Sequence, residues 1–513
     1  MADRIFATGA PSVVPTDVGD TVECDIAIIG AGVGGATLAW AVRESGARVL
    51  VIEQGDFLPR ERENWSVRAV HREHRYKNSA EWIDDSTGEE FLPGNYHYVG
   101  GSSKLFGATM PRFREFDFGE VELADGTSPA WPISYAELEP YYTRAEQLYW
   151  VHSDGDDPTE PPRSAPHPFP AVPHDPAIAK VAARLKKQGL RPFSLPQSVD
   201  WRAGGRCVMC GTCDAYPCMV DAKGDADICA MRPALESENV KLMTKTRVAR
   251  ILTAGDAVSG LEVERGGRRL TIKADRYVAA GGAVNTAALL LRSAPDGVTN
   301  SSGMVGRNYM GHPTTFVIGS RPGRDLKIVF EKTLGLNEWY TATADTPYPL
   351  GNVQSLGKLY GDTIKAAKPW TPTGLLSAIC RRSVDFLAQS EDLPLPENRV
   401  TVDAAGRIHL RWQPTGLEGH KELVRRTARA LRKAGFPIVF TQTLGIVATS
   451  HQCGTARMGT DAGDSVVDPN LRSHDLKNLW ITDSSTFRSA AAVNPALTIA
   501  ALALRTAEDG GLV

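Results

Sequence analysis

The chain has no long apolar run, no block of basic residues and too few cysteines for a disulfide framework, and each absence removes a class of function. A membrane-spanning helix needs about 20 consecutive apolar residues, and none occurs. Electrostatic binding of nucleic acid needs clustered lysine and arginine. Here 57 Lys and Arg are matched by 60 Asp and Glu, a net charge of −3, without a basic stretch. Neither nucleic acid nor a membrane is expected as a partner. The opening residues, MADRIFATGAPSVVPTDVGDTVE, contain neither an apolar signal core nor a twin-arginine pair, so the expected location is cytoplasmic. With 513 residues the chain is too long for one ordinary core, and two or more lobes, interleaved in sequence, are expected.

What is present is most informative at residues 24–53, CDIAIIGAGVGGATLAWAVRESGARVLVIE. A short apolar strand ends in Gly30-Ala31-Gly32-Val33-Gly34-Gly35, and a helical apolar pattern (Ala36, Leu38, Ala39, Val42) follows at once. Gly30 allows the tight turn, Gly32 lets backbone approach a pyrophosphate, and Gly35 lets the helix pack closely on the strand. Phosphates then sit on the helix N-terminus, where unpaired N–H groups and the helix dipole attract negative charge. Glu53, at the end of the second strand, is placed to bind ribose hydroxyls and to repel a 2′-phosphate, which argues against NADP. The segment reads as a dinucleotide cradle.

Further along, Val99 to Ala108 (VGGSSKLFGA) is rich in small residues; it suits backbone laid against a ligand or a tight loop between packed elements. Ser134 and Glu137 form a capping box that opens a helix. Residues 154–176 mix proline, histidine and acids without periodicity, as a surface connection or lid does. Five of the eight cysteines crowd into residues 207–229. The C-x2-C-x2-C-x4-C spacing from Cys207 to Cys218 admits an iron–sulfur cluster, a zinc knot, or thiols that are reduced and partly disulfide-bonded in a compact loop. The departure from strict ligand spacing favours thiols, and no metal is assigned.

Strands are expected at residues 240–244, 247–253, 260–263 and 271–280, the last running into Gly281-Gly282 and a helix over 284–292, which repeats the cradle's logic and brings Gly281 to the same cofactor. Alternating segments in 315–440, with Trp339, Tyr340, Tyr348, Tyr360 and Trp370 among polar residues, suggest antiparallel strands carrying a sugar-binding aromatic wall, or a packed sheet with core aromatics. Near the end, His451 lies in a small-residue, turn-like setting. Asn494-Pro495 opens a buried helix, with Asn494 as N-cap and Pro495 at N1.

In order along the chain, GAGVGG (Gly30 to Gly35), VGGSSKLFGA, WPISYAELEPYY (Trp131 to Tyr142), AAGGAVNTAALLLRS (Ala279 to Ser293), VGRNYMGHP (Val305 to Pro313), HQCGTARMG (His451 to Gly459) and VNPALTIAALA (Val493 to Ala503) resemble the glucose-methanol-choline (GMC) family of flavin oxidoreductases. The resemblance implies an α/β fold: a Rossmann-like FAD-binding domain (20–110, 200–314 and 441–513), a connecting or lid segment (111–199), and an interleaved α+β substrate domain on an antiparallel sheet (315–440). It implies FAD, bound non-covalently. The ADP half rests on Gly30, Gly32, Gly35 and Glu53, and the isoalloxazine lies near Gly101, Ser102, Ser103, Lys104 and Asn494. Val248 presents backbone to adenine, and Asp483 approaches the ribityl chain or pyrophosphate. HQCGTARMG and the His451 with Asn494 combination look most like the branch that oxidises sugars. The implied reaction is oxidation of a secondary hydroxyl, best the 3-hydroxyl of a glucoside, with His451 as base and Asn494 holding the hydroxyl. Pyranose 2-oxidation or a sugar dehydrogenase is the alternative, and oxygen or another acceptor takes the electrons.

Overall fold

A computed structural model describes residues 5–368 and 370–512. Its centre is a five-stranded parallel sheet in the order Val240–Met243, Val49–Ile52, Ile26–Ile29, Arg276–Ala279, Leu479–Ile481. Every residue of these five strands except Arg276 is buried, as a parallel sheet covered on both faces requires. The first strand, Ile26–Ile29, has its sequence successor on one side and a strand from 250 residues later on the other. The chain therefore leaves in opposite directions from neighbouring strand ends, and a crevice opens there. Gly30 stands in that crevice with φ +104°; a Cβ on it would lie 2.5 Å from the Ala280 carbonyl oxygen.

Two helices pack together beside this sheet, Val33–Val42 and the C-terminal Ala496–Glu508, and both feed the main core. Gly35 has the packing role read from the sequence, since a Cβ there would sit 2.0 Å from the Gly30 carbonyl oxygen. Gly34 is tighter still, 1.7 Å from the Thr482 carbonyl oxygen at the end of the last strand. The helix Tyr135–Leu148 opens on the expected capping box, with the Ser134 hydroxyl accepting from Glu137 N–H and the Glu137 carboxylate accepting from Ser134 N–H.

The expected continuous strand over 271–280 is two strands in two sheets. Arg268–Lys273 closes an antiparallel meander with Ala257–Arg265 and Thr246–Ala254, whereas Arg276–Ala279 joins the parallel sheet. The polar break Lys273-Ala274-Asp275 allows the change, and Ala274 N–H donates to the Tyr277 hydroxyl at 2.7 Å to close the turn.

A second large sheet is antiparallel and six-stranded, in the order Ile438–Thr443, Thr314–Ser320, Ser383–Gln389, Asn352–Ser355, Leu334–Leu336, Pro192–Ser194. Helices Leu417–Lys433 and Pro176–Lys186 cover one face through a core that includes Leu423, Leu431, Ile178 and Phe386. The alternating stretch near Arg407 to Trp412 does not join it. Ile408–Arg411 pairs instead with Arg399–Val402 and Trp82–Asp84 in a small separate sheet. Among the described residues no helix is long and apolar enough to cross a membrane.

Candidate active site

A cleft of about 1280 Å³, open in part to solvent, runs along the carboxyl ends of the parallel strands. Gly30, Gly32 and Glu53 line one end, and Gly101, Ser102 and Ser103 line it across from the glycine turn. Val248, Gly281 and Asp483 also face it. The two loops meet backbone to backbone: Gly100 N–H donates to Ala31 O at 2.8 Å, and a Cβ on Gly101 would stand 3.1 Å from the Gly32 Cα. Gly100 and Gly101 both have positive φ, which that approach demands.

These residues fit a dinucleotide. No protein atom lies within 4 Å of where a Cβ of Gly32 would be, so its missing side chain leaves space beside the start of the Val33–Val42 helix. That helix has no side-chain cap and no acidic residue in its first turn. Its free N–H groups are available to a phosphate. Glu53 turns both carboxylate oxygens to backbone, accepting from Ala31 N–H at 2.9 Å and Gly55 N–H at 2.8 Å. Burial raises its pKa against the pull of those N–H groups. Asp483 clamps two elements of the cleft, accepting from Gly282 N–H at 2.8 Å, the Thr286 hydroxyl at 2.6 Å and Ser485 N–H at 2.9 Å.

Lys104 departs from its expected place. Its ammonium points into the interior, 3.2 Å from Asp225 Oδ1 and 3.0 Å from Asp227 Oδ2, which supply the counter-charges a buried cation needs. Burial alone would lower its pKa; the two carboxylates outweigh that and raise it.

His451 and Asn494 come together. Asn494 Nδ2 lies 3.3 Å from His451 Nε2. Their chain neighbours Ser450, Gln452 and Pro495 line the cleft, which places the pair at its edge. Asn494 is not the helix cap expected of it: the helix begins at Ala496 with Pro495 in the cap position. The Asn494 side chain is thereby free to accept from Gln354 Nε2 at 3.0 Å while facing the histidine. On its other side the His451 ring meets His312 Nδ1 at 3.0 Å and Gln389 Nε2 at 3.0 Å. Burial, first of all, holds the His451 pKa well below 6.5; the Lys332 ammonium adds to this and Asp214 opposes it. A neutral imidazole with a free lone pair is what a proton acceptor requires.

His312, Gln354 and Gln389 had no role in the sequence reading. His312 stood unremarked inside VGRNYMGHP, and the signal for the glutamines was amides where a buried strand normally carries apolar residues. Strand register makes the row: Asn352 pairs with Gln389 across the sheet, and Gln354 Nε2 donates to Gln389 Oε1 at 2.6 Å. The aromatic wall is not formed. Tyr340 is buried with its hydroxyl on Asp117, Trp339 and Tyr348 pack in the sheet's helix-covered core, Tyr360 donates to Gly211 O, and Trp370 is 96% exposed. The sheet presents amides to the site instead.

All eight cysteines are free thiols, and among the described residues no group of three or more His, Cys, Asp or Glu is arranged to hold a metal ion. Burial pushes the Cys207 thiol up to about 11. Lys223 holds the loop by donating to the carbonyls of Phe106, Cys213 and Tyr216.

Comparison with known proteins agrees with this architecture. Residues 94–314 and 394–503 match the two family models described as GMC oxidoreductase, and residues 25–153 match one described as FAD dependent oxidoreductase. The chain is 30% identical to 6'''-hydroxyparomomycin C oxidase of Streptomyces lividus, over 94% of this chain and 90% of that one. It is 27% identical to C-glycoside 3-oxidase of Arthrobacter globiformis over 64% of this chain and 62% of that one. The crystal structure of pyridoxine 4-oxidase from Mesorbium loti superposes with a TM-score of 0.66 at 20% identity, covering 95% of this chain and 99% of that one.

Proposed function

Since the chain belongs to the GMC oxidoreductase family and takes FAD as its cofactor, we propose that it oxidises a secondary hydroxyl of a sugar or glycoside, the 3-hydroxyl of a glucoside, to the ketone. The observation that carries this reading is the pairing of His451 Nε2 with the Asn494 amide at the edge of the FAD cleft. Gly30, Gly32, Glu53, Gly101 to Ser103, Val248, Gly281 and Asp483 hold the cofactor, non-covalently. Bound FAD supplies the acceptor for the hydride of the carbinol C–H bond.

The chain's own residues handle the proton and the alignment. His451 takes the hydroxyl proton on Nε2, and the low pKa of its conjugate acid keeps it ready to do so. Asn494 Nδ2 donates to the same hydroxyl oxygen and fixes the carbinol in one orientation, its own carbonyl held by Gln354. The amide row of Asn352, Gln354 and Gln389 makes this side of the site polar, and Gln354 Oε1 is a buried acceptor without a protein partner, which suits a substrate with several hydroxyls more than an apolar alcohol.

A second reading, oxidation at the terminal carbon of an amino sugar, draws on the Streptomyces lividus relative, which matches over 94% of this chain where the C-glycoside 3-oxidase matches over 64%. Pyranose 2-oxidation and a dehydrogenase using an acceptor other than oxygen are further arms of the same test, and a cytoplasmic site of action belongs to the proposal. The experiment is a panel of glucosides, free pyranoses and aminoglycosides, read by peroxide release and dye reduction, with NMR of the product. A 3-keto glycoside is the expected product. A carbonyl at carbon 2, an aldehyde at the terminal carbon, or no turnover on any member overturns the 3-hydroxyl assignment.

A further inference from the structure

We propose that His312 is a positioning residue that fixes the tautomer and ring plane of His451, so that the Nε2 lone pair always faces Asn494 and the substrate. The inference deepens the proposed function and rests on His451 being the base.

Backbone register brings the two rings together. Met310 and Cys453 form an antiparallel bridge, Met310 N–H to Cys453 O at 2.9 Å and Cys453 N–H to Met310 O at 3.0 Å. Two residues onward on one strand and two back on the other lie His312 and His451, their ring centroids 5.0 Å apart and their planes at 77°. His312 is buried, 5% exposed, so water does not compete for its nitrogens.

The hydrogen assignment follows from the outermost partner. His312 Nε2 lies 3.1 Å from Ala491 O and 3.4 Å from Ala490 O. A carbonyl oxygen only accepts, so Nε2 carries the hydrogen. Ala491 holds its carbonyl there from a left-handed backbone conformation, φ +50°, which a residue with a Cβ seldom adopts. Burial pushes the His312 pKa down to about 4, against the pull of those carbonyls. The ring is therefore neutral and its Nδ1 is bare. The hydrogen between the two Nδ1 atoms, 3.0 Å apart, then belongs to His451. With Nδ1–H spoken for, neutral His451 leaves Nε2 bare, and the Asn494 Nδ2 at 3.3 Å has an acceptor to donate to.

The opposite tautomer sets two lone pairs against each other at the Nδ1 contact and two N–H groups against each other at the Asn494 contact. Gln389 Nε2 lies 3.0 Å from His451 Nδ1 and 3.3 Å from His312 Nδ1; with Nδ1 of His451 carrying its own hydrogen, the amide hydrogen goes to the bare His312 Nδ1, which then accepts from both. When His451 takes the substrate proton on Nε2, its Nδ1–H stays in place and its hydrogen bond to neutral His312 becomes charge-assisted; no proton leaves the pair. Lys332 and Asp214, the charged pair that acts on His451, are bonded to each other at 2.8 Å and oppose each other in effect. The acceptor that singles out the imidazolium is His312.

The test uses the FAD holoenzyme labelled with 15N-histidine, in the wild type, His312→Asn, which keeps an acceptor oxygen near the Nδ1 position, and His312→Leu, which removes it. Long-range 15N–1H spectra, with His451 assigned by its loss in His451→Gln, are expected to show the Nδ1–H tautomer in the wild type and in His312→Asn, and a mixture in His312→Leu. Anaerobic flavin reduction in His312→Leu is expected to slow by roughly 10- to 100-fold, the worth of one hydrogen bond to a charged group, with KM little changed. Its rate–pH limb moves to lower pH, because the imidazolium has lost its acceptor, and His312→Asn recovers most of the rate. An Nε2–H tautomer in the wild type overturns the proposal even if no variant folds. So does a His312→Leu enzyme with the wild-type tautomer, rate and pH limb. Failure of the wild type to reduce its flavin with any alcohol strikes the proposed function instead and leaves the spectral result standing.

Discussion

At the residue scale the site depends on which atom of each side chain is already engaged. Asn494 Oδ1 is held by Gln354, so only its Nδ2 is free to turn toward an alcohol oxygen. Asn494→Ala removes an orienting donor and leaves the proton acceptor in place. The expected result is a kcat lower by roughly tenfold, about the worth of one hydrogen bond, with FAD still bound and KM little altered; steady-state kinetics on the best substrate of the panel measures it. An unchanged kcat would show that the amide does not touch the reacting hydroxyl. His451 and Asn494 were legible in the sequence because each sits in a short motif of unusual composition. His312 and Gln389 were not, because their places beside His451 come from strand register between segments 62 and 139 residues away along the chain, which no local pattern encodes. Lys104 was misplaced for a related reason: its partners Asp225 and Asp227 lie more than a hundred residues on.

At the element scale the cleft exists because a helix and two strand ends meet with no side chains between them. Gly34→Ala tests this directly, since the new Cβ would stand 1.7 Å from the Thr482 carbonyl oxygen and push the helix off the strand that leads to Asp483. Overpacking of this kind costs about 1–3 kcal/mol. The expected outcome is a lower melting temperature together with weaker FAD retention on dialysis. Ser134→Ala is the contrasting change. It removes a cap on a helix remote from the chemistry and is expected to cost about 1 kcal/mol of stability with the rate of flavin reduction unaltered, as parallel melting and stopped-flow traces would show. Elements with local signatures, the glycine turn and the capping box, were readable in advance. Elements defined by pairing were less so: the polar break at 273–275 changes sheets, and residues 408–411 take partners from residues 82–84. The aromatics of the middle segment went to cores and surface because the strand faces toward the site were filled by amides.

At the scale of the whole molecule the interior contains more buried acids than a core usually tolerates, Glu391, Asp392 and Asp117 among them. Burial pushes Glu391 up to about 8, and Asp392 and Asp117 up to about 6. For a carboxyl whose folded value exceeds its unfolded value, the folded state holds the proton more tightly. Its stabilising contribution is complete below the ordinary value of 4.5 and is lost as the pH rises through about 8. Glu391→Gln keeps the shape and never ionises. Its melting temperature is therefore expected to gain on the wild type between about pH 5 and about pH 9, and parallel melts across that range would refute the assignment.

The claim on which the account rests is that His451, at the edge of the FAD cleft, takes the proton from the alcohol being oxidised. Anaerobic stopped-flow mixing of FAD-loaded wild type and His451→Ala with the best alcohol of the panel tests it most directly. Bleaching of the flavin band in the wild type, slower by at least about 100-fold in the variant at equal FAD content, is the predicted result; bleaching of the variant at near wild-type speed would contradict it.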